Sequence, residues 1–160
     1  MIVLPGHLRD EIVDRSLESP NVEICGIMAG EFSRSRSTVS AIFPTRNVSS
    51  NPTNSFQIDP AEQLSVFETI EANGLDIVGF YHSHPHGSPD PSDRDRRDAA
   101  WPHYSYLIIG TNDPPRIRSW RWNESTGDFE SELVIISRRS HSDAPAGRVD
   151  QDDPTAQDES

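Results

Sequence analysis

The stretch that most constrains this 160-residue chain is Gly79-Phe80-Tyr81-His82-Ser83-His84-Pro85. Ile77 to Tyr81 reads as a strand, and alternate residues of a strand share one face. His82 and His84 at its end therefore aim two imidazoles at one point, a ready pair of metal ligands. Pro85 has no backbone donor and stops the ladder. A polar loop over 86–91 then returns the chain to Ser92-Asp93-Arg94-Asp95. Ser92-x-x-Asp95 has the form of a capping box, with Ser92 as N-cap ahead of a helical segment from Arg96 to Ala100. That local explanation does not exclude function. A carboxylate fixed in a first helical turn beside the strand end can complete a set of two histidines and one acid. Such a set leaves one position of a tetrahedral zinc open, as in catalytic rather than structural sites.

The rest of the pattern supplies a scaffold. Met1 to Leu4 is a short apolar start, and Leu8, Ile12, Val13 and Leu17 fall on one face of a helix over 7–19. Residues 23–32 and 37–44 read as strands around a Ser/Arg turn. A long loop from Thr45 to Ser55 leads to Phe56-Gln57-Ile58. Asp59-Pro60 then opens a helix whose face is Leu64, Phe67 and Ile70, and Asn73-Gly74 ends it. Tyr104–Ile109 reads as a strand, and Ile117–Trp122 with Phe129–Ile136 as a closing hairpin. Strands interleaved with two or three helices give an α+β (α/β-like) fold with a mixed sheet. The expected folded domain is 1–139. The acidic segment 140–160, poor in large aliphatics, is expected to be a solvated, disordered tail.

Composition narrows the partners. Lys+Arg number 14 against 26 Asp+Glu, a net charge of −12, and every basic residue is Arg. That balance argues against a nucleic-acid backbone, whose binding needs clustered cations. Without lysine, the chain offers no side-chain amine for conjugation. Acid-rich, lysine-free composition resembles proteins that work in concentrated salt, where screening makes such a surface tolerable; an Arg-preferring GC-rich genome is the alternative. No apolar run is long enough for a membrane span. The charged N-terminus does not read as a leader, so a cytoplasmic location is expected. The single cysteine, Cys25, excludes an internal disulfide and reads as a small buried hydrophobe.

A hydrolytic zinc site lowers the pKa of water to about 7 and still needs a base to move its proton. Nothing in 82–95 serves well. Glu23, heading the apolar run Ile24 to Gly30, is either an edge-exposed acid or a placed functional one. Together, Glu23-x-Cys25-Gly26-x-x-x-Gly30, His82-Ser83-His84-Pro85 and Ser92-x-x-Asp95 resemble the JAMM/MPN+ zinc metalloprotease family, closest to its archaeal desampylase-type members. The resemblance spans roughly residues 1–137 and departs at no ligand position. It implies a curved mixed β-sheet flanked by helices (the JAMM/MPN, cytidine-deaminase-like fold) and one Zn²⁺ held by His82, His84 and Asp95. It further implies Glu23 as the residue that activates the attacking water, and Ser92 as the hydrogen-bond donor to the tetrahedral oxyanion. The implied activity is isopeptide or peptide hydrolysis after the C-terminus of a ubiquitin-like small modifier protein, with its conjugates as partners. Two alternatives remain open: a JAMM-type peptidase that trims a residue such as cysteine from a sulfur-carrier protein, and a non-catalytic MPN scaffold. His86 is expected to be exposed, the tryptophans to pack, and the Thr45–Phe56 loop to border the cleft for an extended modifier tail.

Overall fold

The computed structural model describes residues 1–138, and along them the elements run β1 (Ile2–Pro5), α1 (Gly6–Glu18), β2 (Cys25–Glu31), β3 (Ser37–Thr45), α2 (Pro60–Ala72), β4 (Asp76–His84), α3 (Asp93–Asp98), β5 (Ser105–Gly110), β6 (Arg116–Asn123), β7 (Asp128–Glu132) and β8 (Val134–Ser137). The acidic tail expected over 140–160 lies outside the described residues. Among the described residues no helix is long and apolar enough to cross a membrane.

All eight strands join one sheet in the order β7-β6-β5-β4-β2-β3-β1-β8. β1 runs parallel to β3 and β8, and β4 runs parallel to β5; the other neighbours are antiparallel. The mixed sheet expected from the sequence is therefore present. One expectation is corrected: Phe129–Ile136 is not a single hairpin arm. β7 pairs with β6, whereas β8 pairs with β1 at the far edge. Only Leu133 separates the two strands, so the sheet must curl until its edges nearly meet. The Ile2 N–H, bonding the Leu133 carbonyl at 2.9 Å, fixes that corner.

Two apolar layers lie on the two faces. Leu8 and Ile12 of α1 pack with Ile2, Leu4, Met28, Leu107 and Ile109; Ile70 of α2 packs with Cys25, Ile27, Ile58, Phe80 and Tyr106. Burying one such side chain is worth on the order of 1.5–3 kcal/mol. The helix faces differ from the expected ones at one residue each. Leu17 is 48% exposed while Ser16 is buried, its hydroxyl donating to the Ile12 carbonyl at 2.8 Å. Leu64 is 59% exposed, and Val66 joins Phe67 and Ile70 at the sheet. The α2 ends follow the sequence signals: the Asp59 side chain accepts from the Ala61 N–H, and Gly74 takes a positive φ of 68° after the last turn.

Candidate metal centre

Strand register builds the site. Cys25 of β2 lies opposite His82 of β4, so continuing the antiparallel register by two residues sets Glu23 beside His84. The connection is tied twice, with the Ser83 N–H donating to the Ile24 carbonyl at 3.0 Å and the Ile24 N–H donating to Ser83 Oγ at 2.9 Å. Glycine is required at position 26 for a packing reason: a Cβ there would stand 2.2 Å from the Tyr81 ring. α3 supplies the remaining acid. Its capping box is complete, the Asp95 N–H donating to Ser92 Oγ at 3.1 Å and the Ser92 N–H donating to Asp95 Oδ2 at 2.9 Å.

Glu23, His82, His84 and Asp95 thereby converge, each offering a ligand atom within 4.8 Å of the others. His82 Nε2 lies 3.1 Å from His84 Nε2 and 3.1 Å from Asp95 Oδ1; His84 Nε2 lies 3.0 Å from Asp95 Oδ2. Glu23 Oε1 stands further back, 3.9 Å from His82 Nε2. Glu23 and His82 are buried, while Ser92 faces solvent from the α3 cap.

This donor set fits a zinc ion. His84 Nδ1–H donates to the Ser88 carbonyl at 2.9 Å; a carbonyl only accepts, so the neutral ring turns its Nε2 lone pair toward Asp95 and His82. Three electron-rich atoms at 3.0–3.1 Å require positive charge among them. Zinc bonds of about 2.0–2.1 Å in a tetrahedron put neighbouring ligand atoms about 3.3 Å apart, close to the spacing found.

Electrostatics separates the roles of the groups. Burial pushes the Glu23 carboxyl up to about 7, with the nearby Asp95 charge adding to the rise and His84 opposing it. Burial pulls His82 down, favouring the neutral ligand form. Burial also pulls at His84, but its contacts with Asp95 outweigh this and the net shift is upward. Asp95 is likewise pushed up by burial, yet the two imidazoles beside it and the Ser92 N–H hold it well below the usual carboxylate range. Cys25 is buried, and loss of solvation raises its thiol to about 11, as suits a packed rather than a nucleophilic cysteine.

Several supporting residues carry no sequence signature. Asn47 uses its whole carboxamide: Nδ2 donates to the carbonyls of Glu23 and Ser55, and Oδ1 accepts from the N–H groups of Ser49 and Gln57. Phe56 stacks on His82, its ring centroid 4.4 Å away. Trp120 donates its indole N–H to the Pro89 carbonyl at 3.0 Å, pinning the 85–91 loop. That loop lies so close to β5 that a Cβ at Gly110 would stand 2.6 Å from the Gly87 carbonyl. His86 is exposed, as expected, and outside the cluster.

Comparison with known proteins agrees with this geometry. The profile described as prokaryotic homologs of the JAB domain matches residues 5–123. The chain belongs to the prokaryotic JAB family. It is 40% identical to a desampylase of Haloferax volcanii over 82% of this chain and 93% of that protein. It is 32% identical to a probable TtuB-protein conjugate cleaving protease of Thermus thermophilus, over 70% and 72% of the two chains. A CysO-cysteine peptidase of Mycobacterium tuberculosis is 30% identical over 76% of this chain and 82% of that one. Among solved structures, that of a protein from Desulfitobacterium hafniense superposes with a TM-score of 0.78 at 28% identity, covering 88% of this chain and 96% of that one.

Proposed function

We propose that this JAB domain is a zinc-dependent isopeptidase or peptidase that cleaves the bond after the C-terminus of a ubiquitin-like small modifier protein. The observation that carries the reading is the convergence of His82, His84 and Asp95 at zinc-ligand spacing, with the buried Glu23 carboxylate set back from them. His82, His84 and Asp95 would hold the ion. When bound, zinc supplies a Lewis acid that acidifies water and polarises the scissile carbonyl. Glu23 takes the proton of the attacking water on its carboxylate and passes it to the departing amine; a pKa near 7 suits both transfers. The Ser92 hydroxyl oxygen is engaged by the Asp95 N–H, which leaves its O–H free to donate to the oxyanion. Removing such a donor typically costs about 10²–10³ in kcat.

A conjugate of a small modifier is favoured as substrate by the 40% identity to a protein named desampylase. Similarity to the CysO-cysteine peptidase gives the second reading, removal of a terminal residue from a sulfur-carrier protein. A scaffold role fits less well, since every ligand position is filled. The test is hydrolysis of a modifier conjugate and of a linear fusion by zinc-loaded protein, with Glu23→Gln as control. Release of intact modifier is expected, with the variant keeping its zinc and losing about 10²–10⁴ in rate. Release of a free amino acid alone selects the second reading, and two intact substrates reject the isopeptidase.

A further inference from the structure

The two histidines are not supported alike. His84 carries the hydrogen bond that commonly orients a metal-binding imidazole, from Nδ1 to the Ser88 carbonyl. His82 has none among the described residues: its Nδ1 is buried and without a hydrogen-bond partner there, the residue being 1% exposed. What meets the His82 ring instead is Phe56, face to face at 4.4 Å and 24°. Phe56 is in turn held from both sides, since Asn47 takes the Ser55 carbonyl and the Gln57 N–H on either flank. The same carboxamide holds the Glu23 carbonyl, and the Glu23 N–H donates to Pro52 of the same loop at 2.8 Å.

We infer that Phe56 is a positioning residue for the metal centre: its ring replaces the missing hydrogen bond to His82, and the Asn47-tied loop couples that ring to Glu23. The inference rests on the zinc reading above and extends it to how the chain sets metal affinity. A buried imidazole with no partner at Nδ1 can rotate about its side-chain bonds unless a flat surface blocks it. Phe56 provides that surface across a sequence separation that no local motif spans. The loop that follows β3 is thus part of the support of the site.

The test uses the full chain with Phe56→Leu and Phe56→Met, which keep apolar bulk without a ring face, and Phe56→Tyr, which keeps the face. Zinc affinity is measured by competition with a chromophoric chelator, and cobalt(II) is substituted to read ligand geometry from its d–d spectrum. Urea unfolding of the metal-free proteins controls for the fold. Expected is a loss of about tenfold in zinc affinity for the Leu and Met variants, with an altered cobalt spectrum, an unchanged KM at saturating zinc and recovery in Phe56→Tyr. Parental affinity and spectrum in either aliphatic variant would overturn the inference, as would a higher KM with unchanged metal binding, which marks a cleft residue. A parent protein that takes up no metal rejects the zinc reading itself and this inference with it.

Discussion

His82 and His84 stand two residues apart in β4, yet opposite halves of the molecule hold them. His84 is steadied from the β5–β6 side, by a loop that follows it directly in the chain and whose Ser88 carbonyl reaches back to its ring. His82 is steadied from the β2–β3 side, by a ring 26 residues earlier and a face contact with no directional bond. The difference teaches where precision comes from at this site. A hydrogen bond fixes the tautomer as well as the orientation of an imidazole; a stacked ring fixes its plane alone. Each loop thus steadies one of the two imidazoles.

The first way to break the comparison is to remove one of the proposed ligands. His84→Ala, His82→Ala and Asp95→Ala should each reduce bound zinc from about one per chain to a trace, because two remaining donors cannot complete a catalytic zinc set. Metal content after dialysis reads the outcome. Retention in the His82 variant alone would make the two histidines unequal as ligands, and not merely in their support.

Ser92 offers a finer separation, since it caps α3 and is also the proposed donor to the oxyanion. Ser92→Ala should lose about 10²–10³ in kcat and about 1 kcal/mol of stability from the lost cap. Ser92→Asp restores a capping oxygen without an O–H to donate. It should recover stability and not the rate. Steady-state kinetics beside urea titrations check both, and equal recovery would reduce Ser92 to its capping role.

Glu23 shows what the buried half costs. Its carboxyl is raised from 4.5 to about 7 by burial in the metal-free protein. A carboxyl whose folded pKa lies above the unfolded one adds stability below the unfolded value, and that stability is lost as pH rises through the folded value. Chelator-stripped protein should therefore weaken between pH 4.5 and about 7 through this group. Glu23→Gln should remove that dependence, making the stripped protein more stable above pH 7 by at most about 3 kcal/mol. Thermal unfolding of parent and variant at several pH values gives the comparison; an advantage of the variant over the parent no larger at pH 8 than at pH 4 would contradict it.

The parts that were legible in the sequence are the local ones. Alternation in a strand aligns His82 with His84, and a three-residue cap spacing places Asp95, so that half of the site can be read from residues alone. Glu23 could be read only as ambiguous, because what places it is the β2–β4 register. Phe56 and Asn47 were unreadable as supports: a stack and a fully used carboxamide leave no periodic trace. Leu17 and Leu64 looked like core by spacing, yet both side chains stand exposed. The break at Leu133 was hidden too, since β8 follows β7 after one residue and changes only its partner, to a strand at the other end of the chain.

Trp120 sharpens the comparison from the His84 side, with the smallest expected effect. Its indole N–H holds Pro89 next to Ser88, and Arg118, stacked 4.3 Å over the same ring, pairs with Asp90 at 2.5 Å. Trp120→Phe keeps most of the ring and deletes only the donor. The Ser88 carbonyl then gains freedom at one remove from the ligand, so zinc affinity should fall by less than the roughly tenfold typical of a residue touching the ligand itself. Chelator competition on Trp120→Phe, Phe56→Leu and the double variant measures this directly. If the two loops support the two histidines independently, the losses should multiply, as for separate sites without shared partners. A double variant no worse than Phe56→Leu alone would mean that both loops act through one histidine, and the two-sided support would collapse to one.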